Sequence, residues 1–401
     1  AKRNDTLGIN EIENKERPTG AKEYIKDLRK RILTTTAAMA LLAACSTNDE
    51  IQAPQQEMSS IDFATYAPTM TRAADNSSAT QADLLNTHHT TFKVWGNKTV
   101  GTTKTEVFND QLVSYNGSKW TYDPLRYWDK TARYNFYAVA PAKNSTSDIN
   151  WSFSDEKFSL SNFTLQGTSL PVSSNLEPET SFKDVTDVDL MLAHDITNYS
   201  NYGTVALEFD HILSCFNIGV KATSPNQNHT ITVNEVKVFN LNMKGDFNEN
   251  TTGLADNELK NGTTKRWSNT SEPTSGVGYS YESGTQDFTT EKFVYRALVI
   301  PQEVAYENLS LSGPSNPSTA KPYLMVKYTM DYGNNTTESF TSYYNLAAAF
   351  GKTTAGDKLP FNEGWMNTLH ITLGPETIEF SGQVNQFAAQ SSVNIPPTNG
   401  N

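Results

Sequence analysis

Cysteine is almost absent from this chain. Its 401 residues include only Cys45 and Cys215, and two thiols can close one disulfide at most, so the chain is not a disulfide framework. No CxxC pair occurs, which excludes a structural zinc site built on cysteine pairs. No apolar run approaches the roughly 18 to 20 residues that a transmembrane helix needs. Cys215 lies within the apolar stretch "ILSCFNIGV", and we therefore predict a structural rather than a catalytic thiol there.

Charged residues and catalytic motifs are also scarce. Charged residues make up 19% of the chain, and the net charge is -12. An acidic chain argues against nucleic acid as a partner, because phosphate binding requires clustered basic residues. The chain has no GxSxG elbow, P-loop or HExxH motif. We therefore predict that it is not an enzyme and that it has no cofactor and no metal.

One acidic segment could be mistaken for a metal site. The stretch "DVTDVDLMLAHD" gathers several carboxylates and one imidazole, which are groups that can ligate cations: Asp184, Asp187, Asp189, His194 and Asp195. Their spacing matches no known metal-binding loop. We therefore interpret them as solvated turn residues.

Aromatic and apolar residues are present in the pattern of a β protein. Hydrophobic residues make up 37% and aromatic residues 11% of the chain. In "RYNFYAVAP", Tyr134, Phe136 and Ala138 alternate with their neighbours, which is typical of a strand. An Asn116-Gly117 pair indicates a hairpin turn. Short strands separated by turns every 8 to 12 residues or so predict an all-β fold built from sandwiches or barrels, with one face of each sheet exposed to water.

Three local features complete this pattern. The apolar positions in "HTITVNEVKVFNL" change parity between Val233 and Val236, which indicates a β-bulge. The stretch "YYNLAAAFG" is the best candidate for a short helix. Residues 195–203, "DITNYSNYG", are rich in turn formers and give the best position for a domain boundary.

The N-terminal region has the layout of an export signal. In "KDLRKRILTTTAAMALLAAC", four basic residues precede a short apolar run that ends in small residues, and this order predicts a secretory signal peptide. The run Leu42-Ala43-Ala44-Cys45 resembles the bacterial lipobox, so we predict lipidation of Cys45. An ordinary signal peptide with an incidental cysteine is the alternative. The first 25 residues are interpreted as an upstream extension outside the fold.

A short apolar strand is predicted soon after this signal. Residues 46–59 are polar and indicate a tether. Ile61 and Phe63 then alternate with polar neighbours, as in a strand. Arg72 precedes a small polar run that indicates an exposed loop.

Several stretches together resemble the fimbrillin family of Bacteroidetes, the type V pilins. They are the lipobox at Cys45 and the segments "IDFATYAPTMTRA", "FKVWG", "RYNFYAVAP", "DLMLAHDITNYSNYGTVALEFDHILSCFNIGV" and "GWMNTLHITLGPETIEFSGQV". They occur in the family's order and extend over most of residues 41–385. The chain departs from the family pattern near its C-terminus, where Phe387 follows Val384 at the position of a Val-x-x-Trp motif. The tail beyond it is either a donor strand or a disordered end.

The resemblance implies two transthyretin-like β-sandwich domains in tandem. The expected divisions are 1–44 for the extension and signal peptide, 45–72 for the tether and a removable first strand, 73–197 and 198–380 for the two sandwiches, and 381–401 for the tail or donor strand. A surface protease is expected to cut between Arg72 and Ala73 and so to remove the strand that carries Ile61 and Phe63.

The resemblance also implies how such subunits polymerise. Loss of the first strand leaves an apolar groove with unpaired edges, which invites strand addition from another chain. The donor is expected from the C-terminal segment of a neighbouring subunit, with four apolar candidates: Ile378, Phe380, Val384 and Phe387. Head-to-tail addition does not close on itself and therefore produces a filament.

The function expected on this basis is that of a structural fimbrial subunit that supports adhesion or colonisation. The expected partners are other pilin subunits, including accessory anchor and tip subunits, a processing protease, and the outer membrane through the lipid anchor of the precursor. The expected location is the outer membrane and the surface fimbria, reached through the periplasm. The alternative is a monomeric surface lipoprotein that binds glycan through exposed aromatic residues, although we expect most of the six Trp residues to fill cores.

Overall fold

A computed structural model describes most of the chain from Ser59 onward. The described residues are 59–66, 90–143, 148–167, 172–174, 187–223, 229–249, 263–271, 277–282, 287–374, 378–386, 393–394 and 398–399. They form an almost entirely β structure, as predicted. No helix in these ranges is long or apolar enough to cross a bilayer.

Within the described residues, ten strands precede residue 212. They are β1 (Phe63–Tyr66), β2 (Thr91–Val100), β3 (Thr103–Tyr115), β4 (Trp120–Thr121), β5 (Arg133–Ala140), β6 (Ser152–Ser154), β7 (Lys157–Thr164), β8 (Met191–Ala193), β9 (Ile196–Tyr199) and β10 (Val205–His211).

After residue 212, the described ranges contain fourteen strands and one short helix. They are β11 (Ser214–Ala222), β12 (Thr230–Phe239), β13 (Lys244–Asn248), β14 (Trp267–Ser271), β15 (Val277–Glu282), β16 (Lys292–Val299), β17 (Gln302–Ala305), β18 (Tyr323–Asp331), β19 (Thr337–Asn345), α1 (Leu346–Ala349), β20 (Lys358–Phe361), β21 (Trp365–Leu373), β22 (Ile378–Gln386), β23 (Val393–Asn394) and β24 (Thr398–Asn399).

The first sheet has the strand order β1-β10-β8-β5-β2-β3-β4, and β9 also pairs with β5. Its β1 and β10 run parallel, whereas the ladders from β10 through β4 are antiparallel. One face forms an apolar core in which Phe92, Val94, Phe136 and Ala138 are buried. The alternation read from "RYNFYAVAP" is therefore confirmed.

The opposite face of this sheet is buried as well. Trp95 and Tyr137 belong to a second core, and their rings lie 5.1 Å from Phe158 and 5.2 Å from Phe153, centroid to centroid. The expectation of one wet face is therefore wrong for β2 and β5. A second layer of strands covers that face, so aromatic side chains fill both sides.

This second layer takes strands from both halves of the chain. Its order is β14-β13-β7-β6, with Lys244 opposite Thr164 and Phe247 opposite Leu160. β7 precedes the predicted boundary at 197/198 and β13 follows it.

The predicted boundary can also be compared with the position of β9 and β10. Both strands pair within the first sheet, and the chain leaves that sheet at Ile212 and Leu213, just before β11. All described residues fall within one contact unit, Met58–Asn401. The division into two domains at 197/198 remains a prediction.

The C-terminal half contains two larger sheets and a two-stranded one. Their orders are β16-β11-β21-β22-β23, with β24 also on β22, then β15-β12-β18-β19, and β17-β20. β11 lies between antiparallel β16 and parallel β21, and Cys215 within it is buried. Its Sγ lies 3.5 Å from Asn217 Oδ1, as expected of a packed structural side chain.

Three local predictions are confirmed. The hairpin turn joins β3 to β4, and the Asn116 side chain accepts from the backbone N–H groups of Ser118 and Lys119. The ladder between β12 and β18 shifts register after Val233, which is the predicted bulge. The short helix is α1, whose first turn is capped by the side chain of Asn345.

The interpretation of the acidic segment as solvated turns is wrong for two of its residues. Asp187 and Asp189 are buried. Asp187 Oδ1 accepts from the Gln166 backbone N–H, and Asp189 Oδ2 lies 2.5 Å from His211 Nδ1. A buried carboxylate needs such partners. Here His211 belongs to β10, and Gln166 follows the end of β7. The described residues contain no group of three or more metal-ligating side chains.

Candidate functional site around the first strand

The first strand fills a slot at the edge of the first sheet. β1 pairs with β10 along one side, with Phe63 opposite Val205. Along the other side, the Ile61 N–H donates to the Arg126 carbonyl and the Trp128 N–H donates to the Ser59 carbonyl, at 2.9 and 3.0 Å. The segment that begins at Ser59 therefore closes the gap between β10 and residues 126–128.

The inward side chains of this segment are buried. Ile61 is 0% exposed, Phe63 6% and Thr65 4%. They alternate with Asp62, which is exposed, and Ala64, which is partly buried. The sequence prediction of a short strand with Ile61 and Phe63 on one face thus matches the arrangement in the structure.

Phe63 occupies an aromatic cage. Its ring centroid lies 5.6 to 6.1 Å from those of Phe92, Phe108, Tyr122 and Phe136, in edge-to-face arrangements. Such pairs add to the free energy of apolar burial. The strand is therefore an integral part of the core, although it lies at the start of the described chain.

Two polar side chains also contact the first strand. The Tyr122 hydroxyl donates to the Ile61 carbonyl at 2.7 Å, and burial raises the pKa of Tyr122 to about 12. The indole Nε1 of Trp120 donates to Thr65 Oγ1 at 3.0 Å in a buried environment. The first contact can be made by any backbone carbonyl, whereas the second requires a polar side chain at position 65.

Sequence reasoning did not identify Thr65 and Trp120 as site residues. The signal was nevertheless present, because Thr65 continues the alternation of Ile61 and Phe63 by one step. Its inward orientation follows from the period of two along a strand. Its partner could not be deduced, since Trp120 is 55 residues away along the chain.

The predicted donor residues lie in a different sheet. β22 pairs along its length with β21, with Ile378 opposite Leu373, Phe380 opposite Ile371 and Val384 opposite Asn367. Phe380 is 4% and Val384 8% exposed, and Ile378 packs against the same core. Donation of these side chains to another subunit would require β22 to leave its own sheet. Their role as donors remains a prediction.

The outer edge of β22 also has partners. Val393 lies opposite Val384 in β23, and Thr398 lies opposite Phe380 in β24. The described parts of the C-terminal tail thus pair with the last strand of the chain's own sheet.

A family model described as fimbrillin-like matches residues 71–386. This range covers most of the chain. The chain belongs to the fimbrillin-like family. The resemblance seen in the sequence is therefore confirmed at the level of the family, which is one of fimbrial structural and adhesion proteins.

Individual proteins similar to this fimbrillin-like chain include the fimbrium subunit Fim1C of Phocaeicola vulgatus. The two are 27% identical over 203 residues, which is 48% of this chain and 51% of the relative. The match thus spans about half the length of that curated relative.

Solved structures are similar at lower identity. A proposed cell adhesion protein from Bacteroides ovatus shares 12% identity, with a TM-score of 0.43, over 84% of this chain and 100% of its own. A fimbrial assembly protein from Parabacteroides distasonis shares 10% identity, with a TM-score of 0.32, over 84% of this chain and 100% of its own.

Four of the predicted site residues of the fimbrillin-like chain lie outside the described residues. They are Cys45, Arg72, Ala73 and Phe387. Lipidation at Cys45 and cleavage between Arg72 and Ala73 remain predictions from the sequence.

Proposed function

We propose that this fimbrillin-like chain is a structural subunit of a surface fimbria that is assembled by donor-strand exchange. The observation that carries the proposal is the burial of Ile61 and Phe63 in a slot between β10 and residues 126–128. The segment that fills the slot is followed within the same stretch of chain by Arg72. One cut after Arg72 separates this segment from the rest of the fold.

Removal of β1 would expose a particular kind of surface. The aromatic cage around Phe63 would lose the ring at its centre, and the edge of β10 would lose its hydrogen-bonding partner. Apolar area exposed to water costs about 25 cal/mol per Å², and an unpaired edge offers a template for another strand. A segment from a second subunit that restores both contacts is therefore stabilised in the slot, and repeated exchange extends a filament.

Export and anchoring belong to the same proposal. The precursor is proposed to leave the cell as a lipoprotein acylated at Cys45 and to reach the outer membrane through the periplasm. Its partners are other pilin subunits, accessory anchor and tip subunits, and a processing protease. In this proposal the chain has a structural role and catalyses no reaction.

The glycan-binding alternative has less support from the positions of the aromatic residues. Five tryptophans are buried, in keeping with the expectation that they fill cores: Trp95, Trp120, Trp128, Trp151 and Trp267. Flat sugar stacking requires exposed rings. Among the described large hydrophobic residues, Tyr127 is an exposed aromatic, at 47%.

N-terminal sequencing with intact mass, on protein taken from the native cell surface, tests the proposal. We expect polymeric material to begin at Ala73, and we expect the variant Arg72→Ala to accumulate as a monomeric precursor. Arg133→Ala, which removes an exposed arginine elsewhere, is the matched control and should still polymerise. A mature surface protein that begins at acylated Cys45 and remains monomeric would contradict the proposal and favour the glycan-binding lipoprotein.

A further inference from the structure

The slot filled by the first strand selects for more than apolar side chains. At the position of Thr65 it presents the indole N–H of Trp120, which is 8% exposed and donates to Thr65 Oγ1 at 3.0 Å. A buried donor without a partner is costly. Any segment that replaces β1 must therefore supply a hydrogen-bond acceptor at this point, in addition to apolar side chains at the positions of Ile61 and Phe63.

A replacement strand must therefore place three inward side chains at alternate residues. Two of them are apolar, at the positions of Ile61 and Phe63, and the third carries a hydroxyl, at the position of Thr65. β22 ends at Gln386 and is paired along its length with β21. The described parts of the tail beyond it pair with β22 through β23 and β24, two residues each, so donation of the tail breaks two short pairings, whereas donation of β22 breaks a nine-residue one. Among the serines and threonines of residues 387–401, Ser391 has apolar residues at both the second and the fourth position along the chain, namely Val393 and Ile395. Pro396 and Pro397 follow at once, and their lack of N–H groups ends strand pairing there.

We propose that residues 391–395 of a second copy of this chain fill the slot, with Ser391 accepting the hydrogen bond from Trp120. The proposal rests on the proposed strand exchange and specifies its register. Ser391 takes the position of Thr65, Val393 that of Phe63 and Ile395 that of Ile61. The donor strand consequently runs opposite to β1.

This direction has a physical advantage. β1 is parallel to β10, so a reversed strand would pair with β10 in the antiparallel sense, which is slightly more stable per residue. The alternative direction would place Phe387 and Ala389 at the positions of Ile61 and Phe63. Alanine would leave most of the aromatic cage empty, and empty core volume is destabilising.

The test measures how fast polymers release monomer in denaturing detergent at a fixed elevated temperature. We expect Ser391→Ala polymers to dissociate about tenfold faster than the parent, because the buried indole N–H loses its acceptor. Ser392→Ala, which changes the adjacent residue on the other face of the donor strand, is the control and should match the parent. In a Trp120→Phe background, Ser391→Ala should add nothing further.

A second pair of variants does not depend on the folding of the Trp120 variant. Ser391→Thr keeps the hydroxyl and should retain the parent rate, whereas Ser391→Val has a similar shape to threonine and should dissociate as fast as Ser391→Ala. For the direction of the donor, Val393→Asp should prevent assembly and Ala389→Asp should not. The reverse result for this last pair would overturn the antiparallel register.

Failures of the two proposals can be told apart. If the parent polymerises but Ser391→Ala and Ser392→Ala dissociate at the same rate, the assignment of Ser391 is wrong and strand exchange stands. If the processed parent stays monomeric, strand exchange between copies is wrong, and the assignment falls with it.

Discussion

The ring of Phe350 lies directly against the backbone of Gly382. A Cβ atom at position 382 would approach the Phe350 ring more closely than van der Waals contact allows. Phe350 is fully buried between α1 and β22 and also contacts Phe216, with 6.1 Å between ring centroids. The ring thus has little room to move, and glycine is required where β22 passes beneath it.

Replacement of this glycine should therefore weaken the C-terminal sheet. We expect Gly382→Ala to lower the free energy of unfolding by about 1–3 kcal/mol, the usual cost of overpacking a core, as measured by urea denaturation. Gly203→Ala is the matched control, because the nearest heavy atom to a Cβ there is 3.8 Å away. The double variant Gly382→Ala with Phe350→Leu should recover part of the loss, and no recovery would contradict the steric explanation.

Phe63 should be needed for the stability of the unprocessed chain. Phe63→Ala removes the ring at the centre of the aromatic cage, and we expect a loss of about 3–5 kcal/mol in the free energy of unfolding. Asp62→Asn changes the adjacent exposed residue and should alter stability by less than about 0.5 kcal/mol. Equal denaturation midpoints for the two variants would show that β1 does not contribute to the core.

The contact between Trp120 and Thr65 can be tested in the precursor without any polymer. Thr65→Val keeps the size and branching of the side chain but removes the acceptor, so we expect a loss of about 1–3 kcal/mol. Thr65→Ser retains the hydroxyl and should cost less. A valine variant as stable as the serine variant would mean that the hydrogen bond is not required. Thermal unfolding of purified precursor is sufficient for this comparison.

A buried ion pair should make stability depend on pH. Arg266 Nε donates to Glu363 Oε2 at 2.8 Å, and the guanidinium lies over the Phe247 ring. Burial raises the pKa of Glu363 to about 7, although Arg266 opposes this shift. The folded chain therefore binds more protons than the unfolded chain between the ordinary carboxyl pKa and about 7, and its stability should fall as the pH rises through that window.

The variant Glu363→Gln checks this dependence. It removes the titrating group, so the slope of unfolding free energy against pH between pH 5 and 7 or so should flatten relative to the parent, whatever the effect on absolute stability. Glu379→Gln, which changes an exposed carboxylate in β22, serves as the control. An unchanged slope in Glu363→Gln would show that another group carries the pH dependence.

Local sequence patterns predicted the features of the fold that depend on neighbouring residues in the chain. The alternation through Tyr134 and Phe136, the parity change after Val233 and the turn at Asn116 each depend on residues close together in the chain. Periodicity of two and turn chemistry are local rules. For that reason these features could be recognised without knowledge of the partner strands.

Features that depend on distant partners could not be predicted. Tyr137 looked like a wet-face residue because the ring packed against it, Phe153 of β6, lies further along the chain. The sheet that contains β6 also takes in β13 and β14, which come after residue 240. Asp189 looked solvated because its partner His211 is 22 residues away. The burial of Ile61 and Phe63 was suggested by their alternation, but the cage around Phe63 comes from four separate segments.

The sheet β14-β13-β7-β6 bears on how the molecule responds to load. Because β7 and β13 share backbone hydrogen bonds, the regions before and after residue 212 are joined by a ladder as well as by the chain itself. The Trp267 indole in β14 donates to the Ile212 carbonyl at 2.9 Å. This bond holds β14 to the place where the chain leaves the first sheet. Bending at residue 212 would require the bonds between β7 and β13 and the Trp267 bond to break together. A subunit held at both ends should therefore resist tension as a single stiff body.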